Sequence, residues 1–116
     1  MGESASQLKK GVLEILVLHL LSGRDLYGYQ LLVELDRRSL GYFKLKEGTL
    51  YPVLYRLEDA GIIRSYWEQE ESKRGVPRKY YRITEEGVKR MAEMRADLSL
   101  LLESVNLVME EDFGGE

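Results

Sequence analysis

The chain has 116 residues, and that length permits one compact domain with an appended element. Hydrophobic residues make up 44% and charged residues 32%, the balance of a folded globular protein rather than a disordered one. There is no cysteine and a single histidine, His19, which excludes disulfide scaffolds, thiolate metal sites and a cysteine nucleophile, and leaves little room for a histidine-based catalytic or metal site.

The net charge of -3 hides a division along the chain. Residues 84–116 carry nine acids against three bases, whereas residues 1–83 carry 14 bases and 11 acids. A basic body beside an acidic C-terminal third suggests one surface for an anion and another for a different partner, although both could be ordinary solvated faces. Lys9 and Lys10 precede the apolar run Val12–Leu21, but Glu14 and His19 interrupt it and no small-residue cleavage site follows. The run is also far shorter than the ~20 apolar residues of a membrane span. Met1-Gly2 with Ser6 fits only a loose myristoylation pattern. A cytoplasmic protein without a membrane partner is expected.

Leu8, Val12, Ile15, Leu16 and His19 form one stripe of a first helix over 8–21, and Leu13, Val17, Leu20 and Leu21 form another. A helix apolar nearly all round is buried on more than one side, and in a small chain the second side falls to a partner subunit. A second helix is predicted from Leu26 to Arg38, with Asp25 as its N-cap. The third, from Glu47 to Ala60, has a buried stripe of Leu50, Val53, Leu54 and Leu57 and ends at Gly61. Pro52 removes a backbone donor, which places the start of that helix close to Gly48–Tyr51.

Beyond Gly61 the pattern becomes one of strands. Ile62–Gln69 and Arg78–Ile83 read as a hairpin around a polar loop, with Lys73, Arg74, Arg78 and Lys79 making its tip basic. Thr84-Glu85-Glu86 then opens a last helix that reaches about Glu111. Along it Met91, Met94, Leu98, Leu101, Val105 and Val108 follow heptad spacing, and Leu100, Leu102 and Leu107 widen the seam.

Three helices, a hairpin and a long helix are the parts of a mostly α fold with a small β-hairpin: a winged helix-turn-helix over 7–83 and a C-terminal dimerisation helix over 84–113. In that architecture the third helix enters the major groove of DNA and the hairpin wing lies along phosphates or the minor groove. Thr49, Tyr51 and Tyr55 offer hydroxyls, Lys44, Lys46 and Arg56 add charge around them, and the wing bases suit counterion-release binding. No paired carboxylates, nucleophile–base set or phosphate loop stands at readable spacing, so an enzyme is not expected, nor any cofactor or metal. The alternative is a winged helix used as a protein-interaction module, which the acidic C-terminal helix would suit.

The stretch from Leu45 to Gly87 resembles the PadR family of bacterial transcriptional regulators. Gly-Thr-Leu-Tyr-Pro at Gly48–Pro52, Arg-Leu-Glu at Arg56–Glu58, Arg-Lys-Tyr-Tyr before Thr84 and Leu26-Tyr27-Gly28-Tyr29 carry the resemblance, which spans about residues 8–95. A single C-terminal helix is similar to the short subfamily, which includes multidrug-responsive repressors. The resemblance implies a homodimer on double-stranded operator DNA, with Thr49, Tyr51, Tyr55, Lys73, Arg74 and Arg78 at the DNA and Tyr27 on a phosphate. Lys46, Arg56 and Lys79 complete the expected DNA-binding set. Leu16, Leu20, Met94, Leu98, Leu101, Val105 and Val108 are the expected dimer contacts. Drug-responsive relatives hold flat aromatic drugs between paired tryptophans, and Leu98 stands at that position here. An apolar or aromatic effector would therefore meet Leu13, Met94, Leu98 and Leu101, unless these residues are simply interface core.

Overall fold

The computed structural model describes residues 3–68 and 76–114. In chain order they form α1 (Glu3–Gly23), β1 (Leu26–Tyr27), α2 (Gly28–Arg38), α3 (Glu47–Asp59), β2 (Ile63–Trp67), β3 (Lys79–Ile83) and α4 (Glu85–Gly114). Helix α1 begins before the apolar periodicity does, because an apolar face is needed to bury a helix but not to extend it by a polar turn. α4 reaches Gly114, three residues past its expected end.

One element departs from the sequence reading. Leu26 and Tyr27 belong to a strand, not to α2: β1 pairs antiparallel with β3 through Leu26↔Tyr81 and Tyr27↔Tyr80, so the hairpin is part of a three-stranded sheet of order β1-β3-β2. Helix α2 consequently starts at Gly28 with Tyr27 as its N-cap, and Gln30 Oε1 accepts the Tyr27 backbone N–H at 3.1 Å. The wing strands pair from Ile63↔Ile83 to Trp67↔Lys79.

The core fills the space between the helices and one face of this sheet. Leu13, Val17, Leu18 and Leu21 of α1 meet Leu31 of α2, Leu50, Leu54 and Leu57 of α3, and Leu26, Ile63 and Tyr81 of the sheet. Period 3.6 on the helices and period 2 on the strands bring these side chains to one side. No buried side-chain polar atom among the described residues lacks a partner.

The ends of α3 and α4 are set by local chemistry. Gly61, with φ +76°, closes α3: its N–H reaches the Glu58 carbonyl at 3.0 Å and the Ile62 N–H reaches Leu57 at 3.0 Å, the paired bonds of a Schellman motif. Thr84 caps α4, accepting the Gly87 N–H on Oγ1 at 3.0 Å, as its sequence position suggests. The same oxygen lies 2.8 and 2.9 Å from the Gly61 and Ile62 carbonyls, tying the first turn of α4 to the end of α3. A Cβ on Gly87 would run into the Ile62 carbonyl, so the helix sits on the sheet as closely as glycine allows.

Candidate nucleic-acid interface

α3 presents two flanks, and the sequence-predicted residues divide between them. On the first flank, a cavity of about 360 Å³ between α3, the start of α2 and the loop end of the wing strands gathers Tyr27, Tyr51, Tyr55, Arg78 and Lys79. Tyr55 is 55% exposed, whereas Tyr51 is half-buried, its hydroxyl tucked beneath Gly28 at the first turn of α2. Burial foremost, with Glu47 and Tyr55 nearby, pushes the Tyr51 phenol above its ordinary value. It therefore stays protonated and able to donate a hydrogen bond at neutral pH.

The cations here rest on aromatic faces. The Arg78 guanidinium lies 4.8 Å from the Tyr27 ring centroid, and Lys79 Nζ lies 6.0 Å from Trp67 and 5.9 Å from Tyr81. Such contacts hold long side chains in place while leaving their N–H groups free to meet an anion.

On the second flank, Thr49 and Arg56 border a cavity of about 260 Å³ with Lys10, Leu13 and Pro52. Arg56 Nε also sits 3.5 Å from Glu14 Oε2, which draws the guanidinium toward α1. Lys46 is exposed at the N-cap of α3. Lys73 and Arg74 lie outside the described residues. Sequence reasoning misses Trp67, Tyr29 and Lys10 as lining residues; the alternation around Trp67 marks it only as part of the hairpin. Asp25, expected to cap α2, instead accepts the Tyr66 hydroxyl at 2.5 Å and lies 3.2 Å from Arg82 Nη2, both on the wing.

The expected dimer and effector residues are also spread out. Met94 packs against the core, and Leu98 is half-buried. Leu101 is 57% and Val108 69% exposed, with Val105 exposed between them. Leu16 and Leu20 line an apolar cavity of about 240 Å³ with Leu35 and Phe43, bordered by His19 and Arg38. His19 Nδ1 and Arg95 Nη1, 3.0 Å apart, join α1 to α4. Leu13 is buried beside Gly48 and Thr49, and the cavity it borders includes none of Met94, Leu98 and Leu101. No group of side chains among the described residues could hold a metal ion, and no helix is long and apolar enough to cross a membrane.

The arrangement is that of known regulators. A Clostridium thermocellum transcriptional regulator, Cth-833, superposes with a TM-score of 0.79 at 33% identity, over 87% of this chain and 93% of its own. A PadR family transcriptional regulator from Eggerthella lenta gives a TM-score of 0.78 at 36% identity, over 90% and 87%. Transcriptional regulator Rv3488 of Mycobacterium tuberculosis is 29% identical over 99 residues, 85% of this chain and 87% of its own. The PadR-like family of transcriptional regulators matches residues 17–93, two-thirds of the sequence, and the chain belongs to that family.

Proposed function

We propose that the protein is a cytoplasmic, homodimeric repressor that binds double-stranded operator DNA through α3 and the wing. The observation that carries this reading is that Tyr27, Tyr51 and Tyr55 line one cavity with Arg78 and Lys79 beside the start of α2. Phosphates are held by such cations and by hydroxyl and backbone donors, and these contacts set the register in which α3 meets base edges. Thr49 and Tyr55 are the base-reading residues; Lys46, Arg78 and Lys79, with Lys73 and Arg74 of the wing, hold the backbone. Arg56 joins them by leaving Glu14.

The partner subunit accounts for the apolar surface of α4. Leu101, Val105 and Val108 continue a seam whose first members, Met91 and Met94, are used within the chain. The seam meets its counterpart, together with Leu16 and Leu20, across a two-fold axis. An apolar or aromatic effector enters beside Met94, Leu98 and Leu101 where the two copies meet.

Fluorescence anisotropy with a palindromic duplex from upstream of the protein's own gene, at two salt concentrations, tests the reading. Tight binding with a steep salt dependence, well above that to scrambled DNA, is expected. Equal, shallow binding to both duplexes would instead favour a module that recognises protein.

A further inference from the structure

Asp25 stands between α1 and β1, outside the DNA-facing cavity, yet it reaches both strands of the wing. Its carboxylate accepts the hydroxyl of Tyr66 on β2 at 2.5 Å, and Arg82 on β3 approaches with Nη2 at 3.2 Å and Nε at 3.4 Å. The side chain of Asp25 is only 23% exposed, so these bonds are partly shielded from water.

The register extends this contact across the sheet. Tyr66 pairs with Tyr80 and Tyr80 with Tyr27, so three tyrosines form a lateral row on the face away from the core. Tyr66 stacks on Tyr80 with centroids 5.7 Å apart, and Tyr80 meets Tyr27 edge-on at 5.3 Å. At the far end Arg78 covers Tyr27. A continuous path thus runs from Asp25 through Tyr66, Tyr80 and Tyr27 to Arg78, and its last two members border the DNA-facing cavity. The backbone ladder joining β1 to the wing is only two residues long, so backbone pairing alone constrains the wing's angle weakly. Ser65, bonded to Glu58 at 2.5 Å, anchors β2 to α3 from the other face.

We propose that Asp25 is a positioning residue for DNA binding: by holding Tyr66 and Arg82 it fixes the angle of the wing, and with it the place of Arg78, relative to α3. The inference rests on the DNA-binding reading above. It carries a sign that charge alone would reverse. Removing an acid near a phosphate-binding surface ordinarily tightens DNA binding, because a repulsion disappears. Removing one that orients the wing weakens it.

The test uses full-length protein and a duplex selected on the wild type from a random-sequence pool. Asp25→Asn should bind about tenfold more weakly, the order expected for losing a charge-assisted hydrogen bond. Asp25→Glu should recover part of that loss. Tyr66→Phe should show part of that loss, and Asp25→Asn with Tyr66→Phe should be no weaker than Asp25→Asn alone. Tyr66→Phe keeps the ring and removes one oxygen, so it carries the test if Asp25→Asn fails to fold. The hydrogen bond to Asp25 chiefly raises the Tyr66 phenol's titration, so NMR of that side chain should show it falling in Asp25→Asn. Unchanged or tighter DNA binding by Asp25→Asn, with the Tyr66 titration shifted, would overturn the positioning role and leave the DNA-binding reading intact. A wild type that enriches no duplex from the pool would overturn both.

Discussion

The hydroxyl of Tyr51 occupies the space in which a side chain at Gly28 would begin. The helix proposed to read DNA is thereby keyed to the first turn of α2, and the fit requires glycine for its missing Cβ rather than for its backbone freedom. Gly28→Ala must displace the Tyr51 ring and should cost about 1–3 kcal/mol, the usual range for overpacking. In a Tyr51→Ala background the same change should cost much less, as a thermal-denaturation double-mutant cycle would read.

Reversing charge at Arg78 and Lys79 should weaken binding to every duplex and lower the slope of log affinity against log salt by about 1 for each phosphate left without its cation. Lys73 and Arg74 should behave alike. Substituting Thr49 or Tyr55 should instead compress the difference between preferred and scrambled duplexes, by about 1–3 kcal/mol at the base each one reads. Titrations of all variants on both duplexes check this division, and uniform effects from both groups would contradict it.

Stability should fall on the alkaline side. Burial pushes the Tyr81 phenol from 10.0 up to about 12, and the Tyr51 and Tyr66 phenols also move upward. The folded protein therefore holds these protons more tightly than the unfolded chain does. Their contribution is complete below pH 10 and is lost as pH rises through the folded-state values. Denaturant midpoints measured across this range should drop, and Tyr81→Phe should flatten the drop. On the acid side, hydrogen bonds from Arg37 and Arg38 hold the Glu34 carboxyl down at about 2, so its contribution is present above pH 4.5 and lost toward pH 2.

Leu101→Asp with Val105→Asp should yield a soluble monomer by light scattering, because neither side chain is covered within its own chain. The monomer should keep its fold while losing most of its affinity for a two-fold symmetric site. A double mutant that stays dimeric would place the subunit interface elsewhere.

Leu40 follows the C-cap of α2 with φ 54°, a conformation that glycine enters at little cost and leucine does not. Its side chain is 95% exposed, so removing it sacrifices little packing. Leu40→Gly should raise stability by roughly 1 kcal/mol in thermal or urea denaturation.

The order of helices and wing strands is legible from periodicity, and Thr84 and Gly61 mark helix ends through chemistry that acts within four residues. Where the sequence misleads, the cause is distance. An acid just before an apolar run looks like an N-cap, but the partners of Asp25 lie 41 and 57 residues along the chain. β1 is two residues long and merges with the apolar pattern of α2, so only its pairing with β3 reveals it. The sequence offers Tyr51 and Tyr55 alike as hydroxyls of the third helix; that one points inward and the other outward follows from Gly28, a contact between helices that no spacing encodes. The basic tip of the wing, Lys73 and Arg74, is legible as charge and falls outside the described residues.

Only Thr84 separates the wing from α4, and its side chain grips the carbonyls of Gly61 and Ile62. The helix is therefore a rigid arm mounted directly on the sheet, and its 30 residues at 1.5 Å each make it about 45 Å long. A tilt of about ten degrees at that mounting sweeps the far end through roughly 8 Å. Conversely, wherever two such arms are clamped together near their tips, a change of several ångströms in how they cross returns to each wing as a rotation of a few degrees, with no flexible joint between to absorb it.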